Sequence, residues 1–260
     1  MTVLALVAAP AMAQGQAPFQ PEVGQPGKDV VWVPTPPALV EKMLDLAKVG
    51  SSDFVIDLGS GDGRNIIAAA RRGARALGVE YNPDMVDLSR RAAAAAGVAD
   101  RALFERGDMF AADISRATVM ALFLLPSNLL QLRSKFLSLA PGSRVVSNTF
   151  LIEGWTPDAS ESIDGCEMWC EAHLWIVPAQ VAGRWRLPDG ELALTQSFQQ
   201  VSGAFTAAGT TIATPVSGRL RGAELELSGG GQAWRGQARD GALELTRDGG
   251  PVVTAPRAGQ

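Results

Sequence analysis

The sequence is poor in the side chains that most often carry enzyme chemistry: its 260 residues include one histidine, His173, and two cysteines, Cys166 and Cys170. Such a set cannot supply the four thiolate and imidazole ligands of a structural zinc site, and it excludes a Ser/His/Asp relay unless His173 serves it. Positive charge is also short, with 23 Lys and Arg against 27 Asp and Glu and a formal net charge of -4. No basic excess is present to neutralise phosphates, so nucleic acid is not the expected partner. Long apolar runs are missing too; no stretch offers the roughly 20 apolar residues that a spanning helix needs. What the chain does have is core material, at 47% hydrophobic residues. That suffices for one large domain, or one domain with an appendage.

The first residues read as a processing signal rather than as fold. "TVLALVAAPAMA" places an apolar stretch before Ala11-Met12-Ala13, an A-x-A pattern that predicts cleavage after Ala13. No Lys or Arg precedes Lys28, so the usual positive start of such a signal is absent. The expectation is an exported, periplasmic protein, with a cytoplasmic one as the alternative. Residues 14–34, rich in Gln, Pro and Gly, predict an extended leader. Ordered structure is expected from Thr35, which would cap a helix with Pro36 in its first turn and Leu39, Val40, Met43 and Leu44 on one face.

From residue 53 strands and helices alternate. "FVIDL", "RALGVE", "RALFERGD", "TVMALFLLP" and "SRVVSNTF" are separated by helical stretches, one opened by Asn82-Pro83 and closed by Gly97. Several of these runs are apolar at both parities, as in strands buried on both faces. The fold class expected over residues 35–180 is therefore α/β, a Rossmann-like open parallel sheet with helices on both faces. After Pro178 the texture changes to short alternating stretches broken by glycine, and a small antiparallel β appendage is expected over residues 183–254. Within it "GRLRGAELELSGG" and "GQARDGALELTRDGG" repeat a pattern, predicting two successive hairpin-like units.

Chemistry concentrates in "DFVIDLGSGDGRN", residues 53–65, where a strand runs into Gly59, Gly61 and Gly63. A glycine-rich turn between a first strand and a helix N-terminus is where open α/β sheets bind nucleotide-like ligands. A dinucleotide site uses G-x-G-x-x-G; here the spacing is G-x-G-x-G, flanked by Asp57 and Asp62. Two carboxylates repel a pyrophosphate but accept from an α-ammonium. S-adenosylmethionine, which has that ammonium and no phosphate, fits better. Glu80, at the next strand end, suits ribose hydroxyls, although that alone also serves NAD. Asp108 and Met109, in "GDMF", suit the amino group and the face of an adenine.

These segments resemble class I, seven-stranded S-adenosylmethionine-dependent methyltransferases: "VIDLGSGDGRN" matches their first motif, "GVEYNP" the second and "GDMF" the third. Within that class "VPTP", "DLGSGDGR", "ATVMALFLLPSNLLQLR" and "PGSRVVSNTF" are similar to the lysine N-methyltransferases that include the ATP synthase c-subunit enzyme, and more distantly to the Dot1 group. The resemblance implies a cofactor site of Asp57, Gly59, Ser60, Gly61, Asp62, Gly63, Glu80, Tyr81, Asp108 and Met109. It implies in-line transfer of a methyl group to a protein lysine or a small-molecule acceptor, without need of a strong base. On the acceptor side it points to Phe123, Leu124 and Pro126, with Trp32, Thr35 and Pro36 closing over the cofactor or simply stapling the first helix. An exported ligand-binding module without turnover is the alternative in a different class. Cys166 and Cys170 would lie roughly 13 Å apart in an extended strand, too far for a disulfide, whereas a loop would allow one. His173 reads as a packed strand residue rather than a base.

Overall fold

The computed structural model describes residues 19–258. The signal expected at residues 1–13 lies outside them. Helix α1 (Pro37–Leu46) turns Leu39, Val40, Met43 and Leu44 inward, as its spacing predicts. Its N-cap is Pro36 and not Thr35, and no side chain caps it. Thr35 is drawn elsewhere: its buried hydroxyl accepts from Asn148 Nδ2 at 3.2 Å.

The main sheet comprises β1 (Phe54–Leu58), β2 (Arg75–Glu80), β3 (Ala102–Arg106), β4 (Val119–Leu122), β5 (Arg144–Asn148), β6 (Ala159–Ser162) and β7 (Glu171–Ile176). Their order is β3-β2-β1-β4-β5-β7-β6. The first five are parallel and joined by crossovers, including α2 (Arg64–Arg71), α3 (Pro83–Ala95) and α4 (Pro126–Leu137). The helices cover both faces because successive strand residues point opposite ways. Val55 packs with α1, α2 and α3, whereas Ile56 and Leu58 pack with Leu129, Leu132 and Phe136 of α4.

The sheet has the seven strands expected of the methyltransferase class; its first five are the open parallel part, and at one edge β7 runs antiparallel to both β5 and β6. A loop rather than a helix joins β6 to β7, and a short connection can only return the chain antiparallel. That loop contains a Cys166–Cys170 disulfide with the Cα atoms 5.7 Å apart.

Beyond residue 182 the chain forms β8 (Gly183–Leu187), β9 (Gly190–Ser197), β10 (Gln200–Ala207), β11 (Ala213–Arg221), β12 (Glu224–Gly229), β13 (Gln232–Arg239), β14 (Ala242–Arg247) and β15 (Val253–Pro256). Each strand pairs antiparallel with the next. A bridge between Trp185 and Arg257 then joins the last strand to the first. The unit is a closed eight-stranded meander over nearly the span expected, and its closing residue, Arg257, lies just beyond the boundary at 254. Closure leaves no long free edge. Trp185, Phe205, Leu220 and Trp234 fill its interior. The repeat has a physical reason: Gly218 and Gly236 sit opposite Leu227 and Leu245, and a Cβ on either would lie 1.8 Å from a carbonyl oxygen of the neighbouring strand. Only glycine allows so close a crossing.

The barrel packs on the α/β unit through buried contacts. Trp155 stacks on Phe198 with ring centroids 5.8 Å apart, and Gln199 Nε2 donates to Thr156 O at 2.7 Å.

Candidate active site

The carboxyl ends of β1, β2 and β3 open into one pocket, at the point where strand order reverses between β1 and β4. Gly59, Gly61 and Gly63 all adopt positive φ (73°, 55° and 81°), which lets the turn fold tightly onto β2. The amides of Gly59 and Ser60 both donate to Val79 O, at 2.8 and 3.1 Å. Gly61 is bare for a second reason: a Cβ there would lie 2.7 Å from the Trp32 indole nitrogen.

Glu80 braces this turn. One carboxylate oxygen accepts from the Gly61 amide at 2.9 Å and the other from the Asn82 amide at 2.9 Å. Asp62 pairs with Arg64, whose guanidinium also donates to Thr35 O. Arg64, which the first motif contains without assigning it a role, is thus a site residue, and it moderates one of the two carboxylates flanking the turn. The lining remains acidic: Asp29, Asp57, Asp62, Glu80 and Asp108 outnumber Lys28 and Arg64.

Asp57 is the most telling group. It is 3% exposed, its Oδ2 accepts from Asn65 Nδ2 at 3.0 Å, and its Oδ1 has no partner. Burial pushes its carboxyl well above the usual carboxylate range; the Asn65 bond opposes this, while Glu80 and Asp62 add to it. Ser60 Oγ and Asn65 Oδ1 are likewise buried and unpaired. Asp57 and Asn65 both line the pocket, and unpaired acceptors buried beside it are what a ligand with several N–H donors would satisfy. The residues present therefore fit an amino-acid ammonium.

Residues 25–35 run over this pocket as a strap, so ordered structure starts well before Thr35. The strap is tied on itself by Gly24 N to Trp32 O at 2.8 Å and Trp32 N to Gln25 O at 3.0 Å. It is tied to β3's end by Lys28, whose Nζ lies 2.7 Å from Asp108 Oδ2 and 5.2 Å from the centre of the Tyr81 ring. The Lys28 hydrogen bond, with the Phe110 amide, holds the Asp108 carboxyl below its usual range. Asp108 lines the pocket, with one oxygen held by Lys28.

Of the residues the sequence proposed, Asp57, Gly59, Ser60, Gly61, Asp62, Glu80, Tyr81, Asp108 and Met109 line the pocket, as do Trp32, Thr35 and Phe123. Four do not. Gly63 faces away, where a Cβ would strike the Phe104 ring at 2.6 Å. Pro36 is the N-cap of α1, and Pro126 is the first residue of α4, with Leu125 as its N-cap. Leu124 is 1% exposed and packs under Gly59, in the core of the α4 face. His173 is buried, with Nδ1 2.8 Å from Ser160 Oγ and Nε2 3.0 Å from Thr149 O. Among the described residues no cluster suited to a metal ion is present, and no helix is long and apolar enough to cross a membrane.

Comparison with known proteins places this geometry. A family model described as the ANTKMT methyltransferase domain matches residues 57–159. A protein-lysine N-methyltransferase of Saccharolobus islandicus is 40% identical over 151 residues, covering 57% of this chain and 94% of the relative. The mouse lysine N-methyltransferase of the ATP synthase c-subunit is 40% identical over 113 residues, 42% of this chain, but the match spans only 46% of the mouse protein's length. A Salinibacter ruber crystal structure, described as an RNA methyltransferase in complex with S-adenosyl-L-homocysteine, has 46% identity and a TM-score of 0.54 over 57% of this chain and 96% of that one. A Rossmann-like sheet, an acidic glycine turn and this likeness over nearly the whole of the archaeal protein lead to one conclusion: the chain belongs to the S-adenosylmethionine-dependent methyltransferase family that includes the protein-lysine N-methyltransferase of Saccharolobus islandicus.

Proposed function

We propose that the protein methylates the side-chain amine of a lysine in another protein, using S-adenosylmethionine held between the glycine turn, Glu80 and Asp108. One observation carries the cofactor half of this reading: buried Asp57, with an unpaired oxygen in a pocket at the switch point of the sheet. The relatives named for lysine methylation support the acceptor half.

When bound, S-adenosylmethionine supplies a methyl group on a positively charged sulfur. The protein's own part is placement. Asp57 and Asn65 receive an ammonium, Glu80 fixes the height of the turn, Met109 offers an apolar face, and the strap keeps water out. No histidine lines the pocket, so the acceptor amine must lose its proton to solvent before transfer. The neutral nitrogen would then take the methyl group from the bound donor, and the extra proton this leaves on the nitrogen would pass to solvent.

The test is incubation of labelled methyl donor with the protein and cell extracts, then digestion by ribonuclease or by protease. The expected label is protease-sensitive and recovered as methyl-lysine. Label lost to ribonuclease would instead make the acceptor RNA. Calorimetric titration with S-adenosylhomocysteine checks the cofactor separately; no heat from the wild-type protein overturns the site.

Export to an oxidising compartment is proposed alongside. The A-x-A pattern ending at Ala13 and the Cys166–Cys170 disulfide support it. Fractionation of cells making a tagged full-length chain tests it, and recovery in the cytosol with residues 1–13 still attached would refute it.

A further inference from the structure

Phe123 lines the cofactor pocket and also touches two rings that lie outside it. Its centroid is 6.1 Å from that of Phe150, nearly parallel, and 5.6 Å from that of Trp169, edge to face; Phe150 and Trp169 are 5.3 Å apart. All three are half-buried. Phe123 and Phe150 follow the ends of β4 and β5, whereas the glycine turn, Glu80 and Asp108 occupy the ends of β1, β2 and β3. With the cofactor on the one side, the rings stand on the other, where an acceptor must come.

Two of the rings are held by costly devices. Phe150 follows Thr149, a β-branched residue at φ 56°, whose carbonyl bonds His173 and whose amide donates to Glu171 O at 2.7 Å. A β-branched residue in that region is strained, and such strain persists only where surrounding structure enforces it. Trp169, also at positive φ (60°), sits inside the short loop closed by Cys166 and Cys170. A core ring needs neither device. The segment is acidic as well: between Arg144 and Arg184 the chain has six acids and no Lys or Arg; Lys42 pairs with Glu161 and Arg219 with Asp158, which leaves Glu153, Asp164, Glu167 and Glu171 without a Lys or Arg partner among the described residues. Leu125, Leu151 and Met168, each within two residues of one of the rings, are exposed.

We propose that Trp169, positioned over Phe123 and Phe150 by the Cys166–Cys170 disulfide, forms the wall along which the acceptor lysine reaches the cofactor pocket. The proposal rests on the lysine reading above. Aromatic faces suit a lysine twice over, burying its methylene stem and attracting its charged head before the proton is lost. The surrounding acids draw the cation in. Trp169 is then a specificity residue, and the two cysteines are positioning residues that act through it.

The probe is n-butylammonium, a lysine side chain without its backbone, titrated by saturation-transfer NMR into the oxidised full-length protein saturated with S-adenosylhomocysteine. Wild type is expected to bind it, and Trp169→Ala to weaken it about fivefold. Reduction with a phosphine, and the Cys166→Ser/Cys170→Ser variant, should weaken it to a similar extent, while Trp169→Phe restores most of the loss. Affinity for S-adenosylhomocysteine, measured by calorimetry on every form, should stay within twofold and also reports that each variant is folded. Equal binding of n-butylammonium by wild type, Trp169→Ala and reduced protein overturns the proposal, as does no binding by oxidised wild type. If wild type takes no S-adenosylhomocysteine, the cofactor reading falls, and the same titration on the protein alone still decides the role of Trp169.

Discussion

Lys28 Nζ lies 2.7 Å from Asp108 Oδ2, so a strap from before the first helix is fastened to the end of the third strand. This ion pair crosses the mouth of the pocket and uses an oxygen that a ligand amino group would also seek. The strap must therefore yield, at least locally, each time a ligand enters or leaves.

Lys28→Ala is accordingly expected to raise both the association and the dissociation rate of S-adenosylhomocysteine, leaving the dissociation constant within about threefold. Because the pair is exposed, salt should imitate the variant, with wild-type rates rising toward those of Lys28→Ala as ionic strength increases. Stopped-flow fluorescence would report both. Rates indifferent to the substitution and to salt would mean that the strap is not a gate.

Asp57 should show the cost of keeping a carboxylate in a buried site. Its folded acidity is displaced upward by burial, so the folded state holds the proton more tightly than the unfolded chain does. The contribution to stability is then favourable at low pH and is lost as pH rises through the raised value. Asp57→Asn relieves this burden. Thermal unfolding of the ligand-free variant should exceed wild type at pH 7, by about 2–4 °C for each kcal/mol gained. The difference should shrink toward pH 4, where wild-type Asp57 is protonated. The same variant should lose measurable heat with S-adenosylhomocysteine at pH 7. A variant that is less stable and still binds would show that Asp57 is structural.

Much of this site was legible in the sequence because it is local. The glycine turn, Glu80 and Asp108 stand at successive strand ends, and strand ends follow from apolar runs and turn residues. What escaped was non-local. Nothing near Lys28 announces Asp108, 80 residues away, and Arg64 reads as an ordinary helix residue until its partners Asp62 and Thr35 are in place. Gly63 erred for a related reason: the motif rightly demanded a glycine, but Phe104 on β3 demands it as much as any ligand does. The barrel was visible as repeats, whereas its closure was not, since a single bridge between Trp185 and Arg257 leaves no pattern in either strand.

The repeat glycines supply a stability prediction. A methyl group at position 236 would meet Glu244 O at 1.8 Å, and strands cannot part there without breaking their ladder. Gly236→Ala should cost about 3 kcal/mol or more. Gly241, in the turn of the same hairpin, has φ 78° and open space around it. Gly241→Ala should cost about 1 kcal/mol, from backbone strain alone. Urea unfolding of both variants, followed through barrel residue Trp234, would separate them, and equal losses would contradict the crossing geometry.

The lack of a histidine in the pocket fixes how the rate should depend on pH. The titratable groups that line it are five carboxylates with Lys28, Tyr81 and Arg64. His173, the one imidazole in the chain, has both ring nitrogens engaged, with Ser160 and with the Thr149 carbonyl. The lysine amine must then lose its proton to solvent before transfer, and its ordinary pKa is about 10.4. With saturating donor and limiting acceptor, the initial rate should climb about tenfold per pH unit between pH 7 and 9, and show no inflection near 6.5. His173→Gln should keep that slope even if it lowers the rate by loosening Thr149. A plateau starting near neutral pH, lost in His173→Gln, would instead make His173 the proton acceptor.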